Sequence, residues 1–167
     1  MIYASPLDML DRFGATELAQ IATPEEFQVL GNAQLNAGIV ADDLSPFTED
    51  EQTAINATIT RLETALNDAD NDLSFYLADR YALPFVNTPP TLKKLACNIA
   101  RYQLYKTDAT EEVKMRYKDS IRTLEMINAG KIRLGIDDSQ QAKVISPDLP
   151  ASNAPERVFT RHSLRDY

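Results

Sequence analysis

Residues 75–106, FYLADRYALPFVNTPPTLKKLACNIARYQLYK, decide the fold. The stretch begins inside a helix that runs to about Ala82. Pro84 stops it, because proline offers no backbone N–H and restricts the residue before it. Thr88 is positioned to cap a second helix, with Pro89 and Pro90 in its first turn, where a missing N–H costs nothing. Leu92, Leu95, Ala96, Ile99 and then Tyr102 or Gln103 recur at three- and four-residue spacing, which gives that helix one buried side.

The same reading extends in both directions. Upstream, Thr48 and Glu51 form a capping box, each side chain satisfying a free N–H of the first turn. Ile55, Ile59, Leu62, Leu66, Ala69, Leu73 and Tyr76 then line one face of a long helix. Downstream, Thr110 caps a further helix, with Glu111 and Glu112 near its positive end. Val113, Tyr117, Ile121, Leu124 and Ile127 or Asn128 are its inward residues, and Gly130 is its stop. The expected fold is therefore all-α, with main helices near 48–82, 89–106 and 110–129. Ile59, Leu62, Leu66, Leu95, Ile99, Ile121 and Leu124 stand at its centre.

Short elements precede this bundle. Ser5 and Pro6 suit the N-cap and first position of a brief helix carrying Leu7, Leu10 and Phe13, ended by Gly14. Thr16 opens a second turn with Leu18 and Ile21. Thr23-Pro24-Glu25-Glu26 opens another segment, closed by Gly31. Periodicity is poor between Asn32 and Pro46, which reads mostly as loop. Lys131 to Gly135 reads as a short turn or strand.

After Ile136 the chain changes character. Residues 1–136 form the helical domain, residues 137–156 a proline-containing extended linker, and residues 157–167 a terminal docking segment. That segment brings Val158, Phe159 and Leu164 together with Arg157, Arg161 and Arg165. Apolar groups at the end of a polar linker call for a partner surface, and the arginines suit its carboxylates.

Composition narrows the function. The chain has 167 residues, 44% of them hydrophobic, which is enough to bury a core. No apolar run approaches the roughly 18–20 residues of a membrane span. The N-terminal MIYASPLDMLDRF has acids where a secretory signal has basic residues, so no signal peptide is expected. Cys97 has no second cysteine to pair with and reads as a small buried hydrophobe. Synthesis in a reducing cytoplasm fits these features.

Charge is strongly segregated. Residues 1–79 carry 15 Asp and Glu against Arg12 and Arg61, a net of −13; residues 80–136 carry 11 Lys and Arg against 5 acids, a net of +6. Lys93, Lys94, Arg101, Lys106, Lys114, Arg116, Lys118 and Arg122 make up the candidate basic surface. Opposed halves suit head-to-tail association, in which one subunit's acids meet the next subunit's bases. They equally suit pairing within one subunit, and both readings stand open on sequence alone.

No catalytic or metal-binding constellation emerges. Asp68, Asp70 and Asp72 alternate like the start of a calcium loop, but Leu73 replaces the turning glycine and Asp79 the final glutamate. They read as a solvated helix face. His162 is the only histidine, so neither a two-histidine zinc site nor a nucleophile–histidine pair can be assembled around it. There is no Gly-rich phosphate loop. The chain is expected to be no enzyme and to carry no cofactor and no metal. Tyr102, Tyr105 and Tyr117 among the bases hint at nucleic-acid binding. The overall charge of −8 argues against sequence-independent DNA affinity.

Several stretches carry a resemblance: YASPLDMLDRFG with Glu17-Leu18; YLADRYALP; LACNIARYQLY; TEEVKMRYKDSIRTLEMINAGKIRLG; and RVFTRHSL near the end. In this order and spacing the chain resembles the Mu-like prophage head-tail joining protein family, weakly only between about Gly31 and Asp50. The resemblance implies an all-helical head-tail connector, or adaptor, without enzymatic activity or cofactor. Such a protein forms a ring, expected to match a twelve-subunit portal, in the neck of the virion. Its expected partners are the portal protein, other copies of itself and the next neck or tail protein. Genomic DNA would pass through the channel without specific binding, which an acidic wall would suit. The rival readings are a head-closure or other neck protein, and a helical nucleic-acid-binding protein acting in packaging or regulation.

Overall fold

Tyr3 packs near Phe85 and the Leu134 N–H bonds the Tyr81 hydroxyl, so two segments far apart in sequence meet at the same aromatic corner. The computed structural model describes residues 3–135. The linker and docking segment beyond them, including His162, lie outside the described residues. Among those described there are six helices: α1 (Pro6–Phe13), α2 (Ala15–Ala22), α3 (Asn32–Val40), α4 (Glu49–Leu77), α5 (Pro90–Tyr105) and α6 (Glu111–Asn128). No strand occurs among them. The all-α reading and the three main helices stand.

The caps account for where helices begin. Ser5 accepts from the Asp8 backbone N–H while the Asp8 carboxylate accepts from Ser5, and Thr48 and Glu51 repeat the arrangement at α4. Thr110 accepts from the Val113 N–H at 3.4 Å. The α5 start differs from expectation. Pro89 is the N-cap and Pro90 the first helical residue, so the helix opens one residue later than a Thr88 cap would place it.

The bundle is built around α5. Leu92, Leu95, Ala96, Cys97, Ile99, Ala100 and Leu104 are all buried, so α5 is enclosed by more than one neighbour. α4 packs along it, α6 covers another side, and α1 and α2 close part of the remainder. Leu62, Leu66, Ile99 and Leu124 are fully buried, as expected of core-centre residues, and Leu95 nearly so. Ile59 and Ile121 are only partly buried and lie at the edge of the core rather than its centre.

Three further expectations need correction. First, residues 32–40 form a helix, α3, and not a loop. Its pattern is muted because small residues do the packing. Gly38 sits so close to α4 that a Cβ there would come within 2.5 Å of Ile55 Cγ2. Second, Thr23, expected to open the next short segment, closes α2 instead: its hydroxyl donates to the Ala19 carbonyl at 2.6 Å, and the residues after it form turns. Third, α4 ends at Leu77, short of Ala82. The chain turns there because Arg80 reaches back to donate to the Asn128 carbonyl at 3.2 Å, and Tyr81 is buried. A side chain at Gly130, which has φ +74°, would strike that guanidinium.

Asp70 is not part of a solvated face. It is 3% exposed and accepts from the Tyr3 backbone N–H at 3.2 Å. The Tyr3 hydroxyl meets the Ser74 hydroxyl at 3.2 Å, and its ring lies 6.2 Å from Phe85. Tyr81 packs edge-on against Phe85, and the Leu134 N–H donates to the Tyr81 hydroxyl at 3.4 Å. Lys131 to Gly135 contains no strand.

Candidate functional site

The basic residues of α5 and α6 divide into three groups. Three reach across to acids of the N-terminal half of the same chain. Lys93 Nζ lies 2.8 Å from Asp8 Oδ1, Arg101 Nη2 2.6 Å from Glu17 Oε1, and Lys106 Nζ 3.4 Å from Glu25 Oε1. Two pair locally along α6, Lys114 with Glu111 and Arg116 with Glu112. Lys94, Lys118 and Arg122 are exposed and form no hydrogen bond or ion pair among the described residues, although Lys118 lies near enough to Glu111 to help Lys114 lower its pKa. Part of the segregated charge therefore closes within one subunit, and part remains available.

These pairs differ in environment. Arg101 is the most sheltered: its side chain is 13% exposed, its guanidinium lies 4.6 Å from the Phe13 ring centroid, and the Tyr105 hydroxyl donates to the same Glu17 oxygen at 2.8 Å. Burial, followed by the neighbouring Glu17 carboxylate, raises the Tyr105 pKa. Lys106 and Glu25 are both well exposed, and a pair of that kind contributes little. For Asp8, burial pushes the carboxyl up. Hydrogen bonds from Lys93 and Ser5 outweigh it and hold the group below its ordinary value.

Between α1, α5 and α6 these residues border a shallow basic groove of about 310 Å³, lined by Arg12, Lys94, Arg101, Arg116, Glu17 and Glu112 among others. Lys94, Asn98 and Arg116 also line a neighbouring depression with Asp119, Ser120 and Thr123. Asn98 is buried and donates to the Ser120 hydroxyl at 3.2 Å, fixing α5 against α6 at this point. Arg12 joins this surface although it belongs to the acidic half. Only the approach of α1 to α5 reveals that.

Tyr102 and Tyr117 stack at 4.1 Å between ring centroids and 16° between planes. Each covers one face of the other, so these rings join α5 to α6. Their position on or near the apolar faces is as the spacing implied. Cys97 is fully buried, and burial pushes its thiol up to about 11 against the opposing pull of Arg12. That thiol is a poor nucleophile. Among the described residues no group of three or more His, Cys, Asp or Glu is placed to hold a metal ion. No helix among them is long and apolar enough to cross a membrane.

A second surface was hidden in the sequence. Where residues 26–34 fold beside the first turns of α4, they leave an open groove of about 620 Å³. Leu30 and Ala54 are buried there, Phe27 is partly buried, and Val29 is 54% exposed. Glu26, Asp50 and Glu51 bring negative charge to its edge. Glu51 is occupied by Thr48 and by Gln34, whose Nε2 donates to Oε1 at 2.8 Å, and these bonds lower its pKa. Glu26 and Asp50 have no partner among the described residues. The stretch Phe27-Gln28-Val29-Leu30 was the available signal, being apolar without a helical or strand period of its own.

Comparison with known proteins places these surfaces in context. Residues 3–147 match the family described as Bacteriophage Mu, Gp36. The chain is 40% identical over 81 residues to the Mu-like prophage FluMu protein gp36 of Haemophilus influenzae, an alignment spanning 48% of this chain and 57% of that protein. It is 33% identical over 99 residues to Gene product J of Escherichia phage Mu, spanning 59% of this chain and 70% of that protein. The match of the Gp36 family across nearly all of the helical domain shows that this chain belongs to that Mu-like phage family.

Proposed function

We propose that this protein is a component of the phage virion that acts as a head-tail connector. In this reading copies assemble as a ring beneath the portal, extend the DNA channel and offer a platform to the next neck or tail protein. Membership of a Mu-like phage family carries the virion assignment. The connector role draws support from the division of the surface. Lys94, Lys118 and Arg122 on α5 and α6 make no ion pair among the described residues, and neither do the exposed acids Asp68 on α4 and Asp79 just after it. Two unlike, complementary patches suit the heterologous contacts from which a closed ring is made. The remaining acids suit a wall that does not trap passing DNA.

The nucleic-acid-binding alternative draws less support. Of the tyrosines it would use, Tyr102 and Tyr117 stack on each other and Tyr105 is bonded to Glu17, and much of the basic set is neutralised within the chain. The test is genetic and structural together. Deleting the gene from an inducible prophage should leave DNA-filled heads without tails, and restoring the protein should restore joining. Normal tailed particles in its absence would overturn the connector reading.

A further inference from the structure

The groove beside α4 has an exposed apolar wall and unpartnered acids, and the chain itself contains a segment with the opposite attributes. We propose that the groove formed by Phe27, Val29, Leu30 and Ala54 with Glu26 and Asp50 receives the C-terminal segment Arg157–Arg165 of this same protein. The apolar groups match in kind. Val158, Phe159 and Leu164 would cover Val29, which is 54% exposed, and the partly buried Phe27. The charges match in sign. Arg157, Arg161 and Arg165 would meet carboxylates that no described residue neutralises, and guanidinium–carboxylate hydrogen bonds are among the stronger polar contacts. The volume of about 620 Å³ lies within the range of sites that enclose a few side chains.

Charge also argues against the basic groove as the receiver. The groove lined by Arg12, Lys94, Arg101 and Arg116 would repel an arginine-rich segment. Length permits the connection. Residues 137–156 span up to roughly 65 Å when extended at about 3.3 Å per residue, enough for the groove of the same copy or of a neighbour. Asp50 also sits favourably at the positive end of α4, which accounts for an acid there. It does not account for the exposed valine beside it or for Glu26, which belongs to no helix. In the proposed ring this contact would pass each subunit's end to a neighbour, and only that consequence rests on the connector reading. Docking itself is read on the free full-length protein, so it stands or falls separately from attachment to a portal.

The experiment replaces Phe159 in the full chain with photoreactive p-benzoyl-phenylalanine and maps the products of irradiation by mass spectrometry. The expected cross-links fall within residues 26–34 and 50–54. Products formed within one copy or between copies, separated by mixing isotope-labelled and unlabelled protein, both support the proposal. Glu26→Lys with Asp50→Lys should lower the yield about tenfold, with recovery on adding Arg157→Glu and Arg161→Glu. Glu26→Lys alone, lying outside any helix, gives the same direction of change without touching the α4 cap. Cross-links confined to other surfaces, or a yield indifferent to charge reversal with the helical circular dichroism intact, would overturn it.

Discussion

Arg101 on α5 and Glu17 on α2, 84 positions apart, meet through two guanidinium nitrogens on one carboxylate oxygen, at 2.6 Å for both Nε and Nη2. The Tyr105 hydroxyl shares that oxygen. The link fixes the N-terminal helices on the central one in a partly sheltered setting. Removing one partner leaves the other without its counter-charge. Glu17→Ala should cost about 1–3 kcal/mol, and Arg101→Met in the same background should cost much less than it does alone. Urea denaturation of the four proteins of this cycle checks the coupling. Additive effects would show that the pair contributes nothing of its own.

Leu62 and Ile99 have no exposed surface and lie where α4 meets α5. Leu62→Ala or Ile99→Ala should each lower stability by about 2–5 kcal/mol. Ile59→Ala and Ile121→Ala, at partly buried sites, should cost less. Equal losses at all four positions would contradict the distinction between core centre and edge.

Gly38 tests the contact between α3 and α4. Helix propensity alone favours Gly38→Ala by about 0.5–1 kcal/mol. The added methyl would instead meet the buried Ile55 at 2.5 Å and Ile59 at 3.1 Å. Crowding should prevail, giving a net loss of about 1–3 kcal/mol. A stabilised variant would mean that α3 yields at little cost.

Much of the bundle was legible because caps and apolar spacing agree locally. Thr48 with Glu51 and Thr110 with its following glutamates locate two helix starts to within a residue. What was hidden depends on partners distant in sequence. α3 lacks a strong apolar stripe because Gly38 packs by absence of a side chain. The end of α4 depends on Arg80 finding the α6 terminus. Asp70 reads as one of three alternating acids until the Tyr3 N–H is seen beside it. The basic candidates were legible as a set. Their division into intrachain pairs and free groups was not, since it follows from how α1 and α2 lie on α5. The C-terminal docking residues lie outside the described residues.

Asp8 supplies a pH dependence. Its pKa is lowered in the folded state because hydrogen bonds from Lys93 and Ser5 outweigh burial. The resulting stability is present above the unfolded value of about 4 and is lost as pH falls through the lower folded value. The urea midpoint difference between wild type and Asp8→Asn should be widest above about pH 5 and vanish toward about pH 2. A difference that persists in acid would show that the charge is not its source.

Cys97 provides a probe of global opening. With no exposed surface and a thiol pushed up to about 11, it should resist iodoacetamide at neutral pH and react once the bundle unfolds. Rapid alkylation of the native protein would contradict its burial between α5 and its neighbours.

Truncation after Asp148 should leave the helical circular dichroism unchanged, because the described core lies wholly within residues 3–135. It should lower occupancy on portal-bearing heads, because neighbouring copies in the proposed ring would no longer be joined through the groove beside α4. Wild-type occupancy by the truncated protein would locate the anchor elsewhere.

The central claim is that copies of this chain form a ring on the portal, and native mass spectrometry of the full-length protein mixed with its phage's purified portal tests it most directly. The account predicts a discrete complex in which the number of bound copies equals the number of portal subunits, stable without DNA. Absence of any portal complex, together with salt-sensitive retention on DNA, would contradict it.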